Sequence, residues 1–223
     1  MINHSTLDFL KNLTENNNKE WFHDHKKAYQ NYKDNYLETA DYLLQGLKKH
    51  DPKLEYLEAK KCIFRINRDI RFSLDKSPYK TNMGIWLSRD RKNPFASGYY
   101  FHLDLKESFL AGGVYCPDAN ALKMIRKEIA FYYEDLNVIL SDKRYKATFN
   151  DFDRDVKNML KTSPKGYEST HPAIDFLRLK SFTTTHHFKA EEALKPNFID
   201  QAIDQLSLLK PLNEFLDRAY FED

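Results

Sequence analysis

Apolar positions recur at near-helical spacing before residue 50, alternate with polar ones between residues 62 and 116, and return to helical spacing towards the end of the chain. A short first helix, capped at Ser5, carries Leu7, Phe9, Leu10 and Leu13. Asn17-Asn18-Lys19-Glu20 reads as a capping box that opens one long helix, with Asn17 as the N-cap. Its apolar stripe runs through Trp21, Tyr29, Tyr32, Tyr36, Leu37, Leu43, Leu44 and Leu47 to Lys48-Lys49, where cations suit a helix C-terminus. At that spacing the aromatic rings are assigned to core packing rather than to base stacking.

Period-two alternation predicts strands over Cys62–Arg68, Met83–Arg89, Gly98–Leu105 and Ser108–Cys116, with Lys106-Glu107 as a two-residue hairpin turn. In the third of these, Tyr99, Phe101, Leu103 and Leu105 are expected to face the core, with Tyr100, His102 and Asp104 opposite. Asp118 is placed to cap a helix bearing Leu122, Ile125, Ile129 and Tyr132 or Tyr133. A less regular stretch then leads through Pro164-Lys165-Gly166 to a short helix after His171-Pro172 and a strand over Ser181–Phe188. A final helix capped at Asn197 is interrupted at Lys210-Pro211. Helices, an antiparallel meander and helices again imply an α+β fold, and with no repeat or low-complexity linker a single domain over residues 1–223 is expected.

Composition narrows the function classes. Two distant cysteines, Cys62 and Cys116, make neither a disulfide framework nor a zinc ribbon, which fits a reducing cytoplasm. No apolar run approaches the roughly 18 residues of a membrane span, so no membrane association is expected. The net charge is only +2, but residues 60–92 hold ten Lys and Arg against three Asp, a net of +7 that leaves −5 for the remainder. Such a confined basic region suits a specific anionic ligand better than the coating of a long polyanion, and a solvated strand edge is the plain alternative.

The charge concentrates in the stretch Arg65 to Thr81, where Arg65, Arg68, Arg71, Lys76 and Lys80 stand with Asp69, Asp75, Phe72 and Tyr79. Guanidinium forks match phosphate and carboxylate oxygens. Strand alternation splits the arginines, putting Arg65 and Arg68 on opposite faces, so a common pocket requires the Asp75–Thr81 loop to curl back. A site built from Arg65, Arg68, Arg71, Lys76, Tyr79 and Lys80 would then hold a small anion. Equally, Asp69 and Asp75 can pair with Arg68 and Arg71 and merely pin the loop.

His102, sharing a face with Tyr100 and Asp104, is the candidate general acid or base, against the plainer role of a hydrogen-bonded strand histidine. No nucleophile elbow or Gly-rich phosphate loop occurs, and no cofactor is implied. Metal ligation is not expected. His23 and His25 diverge on a helix, His186 and His187 point to opposite faces of a strand, and Asp151-Phe152-Asp153-Arg154-Asp155 lacks the Gly and Glu of a calcium loop and reads as solvated surface. Gly112-Gly113 is expected to permit a close backbone approach or a bulge.

Phe64-Arg65-Ile66-Asn67-Arg68-Asp69-Ile70-Arg71-Phe72-Ser73 with Asp75-Lys76-Ser77-Pro78-Tyr79-Lys80-Thr81 resembles the signature of the bacterial and fungal family known as domain of unknown function 2461. Glu20-Trp21-Phe22, Tyr100-Phe101-His102-Leu103, Pro164-Lys165-Gly166-Tyr167 and Leu177-Arg178-Leu179-Lys180-Ser181-Phe182 are similar to its other blocks. Asn67 departs from it, standing where many members carry an aromatic residue, and the Asp90-Arg91-Lys92-Asn93 loop carries less weight than the three arginines before it. The resemblance implies no activity, substrate or cofactor. From the residues themselves the leading expectation is a cytosolic protein or enzyme for a small phosphorylated or carboxylated compound. The alternatives are a nucleic-acid-binding module, motivated by the same charge near Tyr79, Trp86 and Phe95, and a structural ion-pair motif without a ligand.

Overall fold

The computed structural model describes residues 1–90 and 92–220; Arg91 lies outside the described residues. The elements in chain order are α1 (His4–Glu15), α2 (Lys19–Asp24), α3 (Lys26–Lys48), β1 (Asn82–Ser88), β2 (Gly98–Asp104), β3 (Ser108–Val114), α4 (Ala119–Phe131), α5 (Tyr133–Ser141), α6 (Lys143–Thr148), α7 (Ile174–Leu177), β4 (Phe182–Phe188), α8 (Phe198–Ser207) and α9 (Lys210–Arg218). The strands form one antiparallel meander in the order β1-β2-β3-β4, giving the α+β class its alternation predicts. Along the chain the residues divide into two compact units, neither of them contiguous in sequence. The first takes Met1–Leu87, Tyr100–Leu110 and His187–Asp204, and the second takes Ser88–Tyr99, Ala111–His186 and Gln205–Asp223.

In the first unit α1 packs on α3 through Leu10, Leu13, Leu43 and Leu47, all fully buried. The expected long helix is broken. His25 closes α2 by donating its backbone N–H to the Trp21 carbonyl, and its ring stacks on the Trp21 indole at 4.1 Å between centroids, so the helical path restarts at Lys26. Asn18, not Asn17, caps α2 by accepting from the Trp21 N–H. Two α3 tyrosines reach the first strand: the Tyr32 hydroxyl donates to the Asn82 carbonyl at 3.2 Å, and the Tyr36 hydroxyl donates to the Gly84 carbonyl while accepting from the N–H groups of Phe64 and Gly84.

Cys62–Arg68 is not a strand. Among the described residues it pairs with β1 at the single Ile63–Ile85 bridge, then leaves the sheet and pairs with its own returning arm at Asn67–Tyr79. A strand needs a partner continuing in register, and here the partner changes after a few residues. The β2–β3 turn also differs from expectation, spanning residues 105–107, with Leu105 exposed rather than in the core. The Ser108 hydroxyl donates to the Asp104 carbonyl across that turn.

The second unit buries Ile125, Ile129, Leu136, Tyr145, Phe182 and Phe215. The stretch read as irregular contains α5 and α6. Asp118 caps α4 as its sequence predicts, accepting from the Ala121 N–H at 2.8 Å. Arg126 donates to the carbonyls of Leu177 and Leu179, fastening α4 to the α7 turn. Asp153 does not lie on a purely solvated surface, because its carboxylate accepts from the hydroxyls of Thr183 and Thr185. Gly113 has φ +103 and lies against the Phe182 carbonyl where a Cβ would sit, which is the close approach expected of this glycine pair.

Candidate functional site

The basic motif lies wholly in the first unit. Its two arms are tied into a return, with the Arg68 N–H donating to the Pro78 carbonyl and the Lys80 N–H to the Ile66 carbonyl. Asn17 fixes that return from outside: its amide accepts from the Tyr79 N–H at 3.1 Å and donates to the Tyr79 carbonyl at 3.0 Å. Tyr79 also stacks on Phe22, 4.0 Å between centroids. A residue that reads as a helix cap in sequence therefore clamps the loop 62 positions away.

Folding back brings Arg68, Tyr79 and Lys80 to one polar cavity of about 330 Å³, together with Thr14, Asn17, Asp75, Ser77, Thr81, Asn82 and Lys106. A second cavity of about 390 Å³ shares Arg68, Lys80 and Asn82 and adds Phe64, Asp69 and Tyr100. The Nη1 of Arg68 donates to Asp75 at 2.5 Å and to the Ser77 carbonyl at 3.1 Å. Among the described residues its Nη2 meets the Ser73 hydroxyl only at 3.5 Å, which leaves donor capacity toward the cavities. The Asp75 carboxyl is held down at about 2, first by the Ser77 hydroxyl and backbone N–H and then by Arg68. The Lys80 ammonium lies 5.1 Å from the Phe64 ring centre, and its pKa is lowered by burial and then by the Arg65 charge.

The remaining motif residues line neither cavity. Arg71 forms a fork on Asp69 at 3.0 and 2.6 Å in an exposed pair, and Lys76 donates to the Ile70 carbonyl. Arg65 is exposed and acts on Lys80 and Asp69 through its charge alone. Beyond them the loop tip carries Phe72 and Leu74 almost fully in solvent.

His102 sits on the polar face of β2, 2.9 Å from the Tyr100 hydroxyl through Nδ1 and stacked on Phe109 at 4.7 Å. Burial lowers its pKa below the usual 6.5, the charges of Asp104 and Glu107 opposing, so the ring is neutral at neutral pH. It lines neither cavity; Tyr100 stands between. The Tyr100 hydroxyl rests over β1 at Gly84, where a Cβ would come within 2.6 Å of it. Asn17, Asn82, Lys106 and Gly84 are the site residues that sequence reading passes over. Only Gly84, a glycine inside a strand pattern, carries a local signal.

The structure thus defines an α+β protein with an antiparallel meander and a cationic cleft folded against its first strand. The chain belongs to the family described as conserved hypothetical protein (DUF2461), whose model matches residues 5–215. Comparison with curated proteins and with solved structures finds no match. Among the described residues no helix is long and apolar enough to cross a membrane.

Proposed function

We propose that the protein binds a small phosphate- or carboxylate-bearing compound in the cleft of Arg68 and Lys80. The observation that carries this reading is the convergence of Arg68, Lys80 and Lys106 on one polar cavity whose single carboxylate, Asp75, is already engaged by Ser77 and Arg68. Partial burial and then the Arg65 charge both disfavour the ammonium form of Lys80, which an anion in the cavity would offset. Within this reading His102 positions Tyr100 rather than reacting itself, and the outer pair Arg71–Asp69 shapes the loop. The scarcity of cysteine, two residues far apart in sequence with no second pair, supports a cytoplasmic setting.

Calorimetric titration with inorganic phosphate, sugar phosphates and small carboxylates tests it. Saturable binding of at least one of these to the wild type is expected, weakened by about tenfold or more in Lys80→Gln, the loss of one charge-assisted hydrogen bond. No binding by any of them, or binding indifferent to Lys80→Gln, contradicts the proposal.

A further inference from the structure

The two cavities share Arg68, Lys80 and Asn82 but differ in their other walls. The first adds Lys106, Thr81 and Ser77, with Asp75 already engaged by Arg68 and Ser77, so its lining is mainly cations and hydroxyls. The second adds Phe64 and Tyr100, with Asp69 and Asn82 as its hydrogen-bonding groups. Phe64 is 47% exposed, although nothing in its strand-like surroundings forces a phenyl ring into water. Tyr100 meets it edge-on, with centroids 6.5 Å apart and planes at 76°, so the two rings form a corner rather than a closed stack.

The Phe64 ring carries the Lys80 ammonium at 5.1 Å. An anion drawing Lys80 towards the first cavity therefore uncovers an aromatic face in the second. The cationic chamber suits a dianion, and the aromatic corner suits a flat ring. Asp69 accepts and Asn82 both donates and accepts, so polar edges on that ring can be matched. Each volume lies in the range of small-molecule sites.

Building on the anion site above, we propose that the ligand is a mononucleotide, with its phosphate at Arg68, Lys80 and Lys106 and its base against Phe64 in the Tyr100 corner. In the second chamber Asp69 is already held in a fork by Arg71, so it is the Phe64–Tyr100 corner that favours a base there. The confined extent of the basic lining favours a single nucleotide over a strand, since a strand requires a continuous charged track.

The test is calorimetry on the full chain with inorganic phosphate, ribose 5-phosphate, the four 5′-ribonucleoside monophosphates and a twelve-residue thymidylate oligomer. At least one monophosphate is expected to bind about tenfold or more tighter than ribose 5-phosphate, the advantage of one base stacked on an aromatic ring. Phe64→Ala is expected to erase that advantage, so that on the variant the monophosphates bind no more tightly than ribose 5-phosphate, whereas Lys80→Gln weakens every phosphate ligand and keeps the advantage of the base. Phe64→Leu keeps the apolar bulk without the ring face, and a matched thermal melt of either variant shows that the fold persists. Equal binding of ribose 5-phosphate and all four monophosphates overturns the nucleotide assignment and leaves the anion site standing. Tighter binding of the oligomer than of any monophosphate also overturns it, in favour of single-stranded nucleic acid. Binding of none of these phosphates overturns the nucleotide assignment, and if small carboxylates also fail, the anion site falls with it.

Discussion

Two Arg–Asp pairs, each with a shortest N–O distance of 2.5 Å, occupy opposite surroundings. Arg89 and Asp217, within the second unit, have side chains 0% and 3% exposed, and Asp217 also accepts from the Ser97 N–H at 2.9 Å. Arg68 and Asp75, within the first unit, are 26% and 61% exposed. Identical chemistry has a different meaning in each. A charge buried at Arg89 has no water to fall back on, so its partner is obligatory for the fold. Arg68 keeps part of its side chain in water and its partner Asp75 is mostly exposed, so their pairing adds little stability and leaves donors directed at a cavity. The dense charge of the sequence motif is therefore the less structural of the two, while the buried pair sits in segments that no local pattern distinguishes.

The comparison breaks most visibly at its buried side. Asp217→Ala, which takes the buried carboxylate away from Arg89 and leaves the more exposed Glu214 at 3.6 Å, is expected to cost about 3–5 kcal/mol in urea unfolding. A loss below the uncertainty of the extrapolation would mean that Arg89 is relieved by other groups. Asn17→Ala comes next: removing both hydrogen bonds to the Tyr79 backbone is expected to cost about 1–2 kcal/mol. It should also raise hydrogen exchange at Tyr79 and Lys80, and unchanged protection there would show that Phe22 stacking alone holds the return.

Gly84→Ala is smaller still, about 1 kcal/mol, because the added methyl meets the movable end of Tyr100 rather than backbone. Its expected signature is a shifted His102 imidazole resonance as the Tyr100 contact opens.

Smallest is Asp75→Asn, which lowers stability slightly at neutral pH because the Arg68–Asp75 pair is largely in water. That small difference from the wild type is constant around neutrality and disappears in acid. The folded pKa of Asp75 is about 2 against an ordinary value of 3.8, so the unfolded chain takes up the proton first. The contribution of Asp75 is complete above about pH 4 and is lost as pH falls towards 2. A wild-type minus Asp75→Asn stability difference that changes near neutrality instead would contradict the assignment.

The alternation of β1 and β2 was legible because one face of each is more deeply buried, as at Met83, Ile85 and Leu87, whereas β3 is buried without a break from Leu110 to Val114. Cys62–Arg68 has the same alternation and no ladder. Its pattern reports local side-chain direction, whereas a strand also requires a neighbour that the sequence does not specify. The broken helix at His25 escaped for a related reason: Trp21, Tyr29 and Tyr36 keep the helical period across a break made by one backbone turn. Among the site residues, the cations announce themselves by composition. Which of them face a common cavity depends on Asn17 and the fold-back of Tyr79, contacts far apart in sequence. Arg71 and Arg68 look equivalent in the motif, and only the return of the chain separates them.

The account turns on whether the exposed arginine region faces a ligand rather than only its own carboxylates. Two-dimensional NMR of the uniformly labelled protein during a titration with inorganic phosphate tests this most directly. The account predicts saturable shifts confined to the Arg68 side chain, the Lys80 ammonium and the amides of residues 77–82 and 106, with Arg89 unmoved. The absence of saturable shifts, or shifts centred on Arg71 and Lys76 with Arg68 and Lys80 silent, would contradict it.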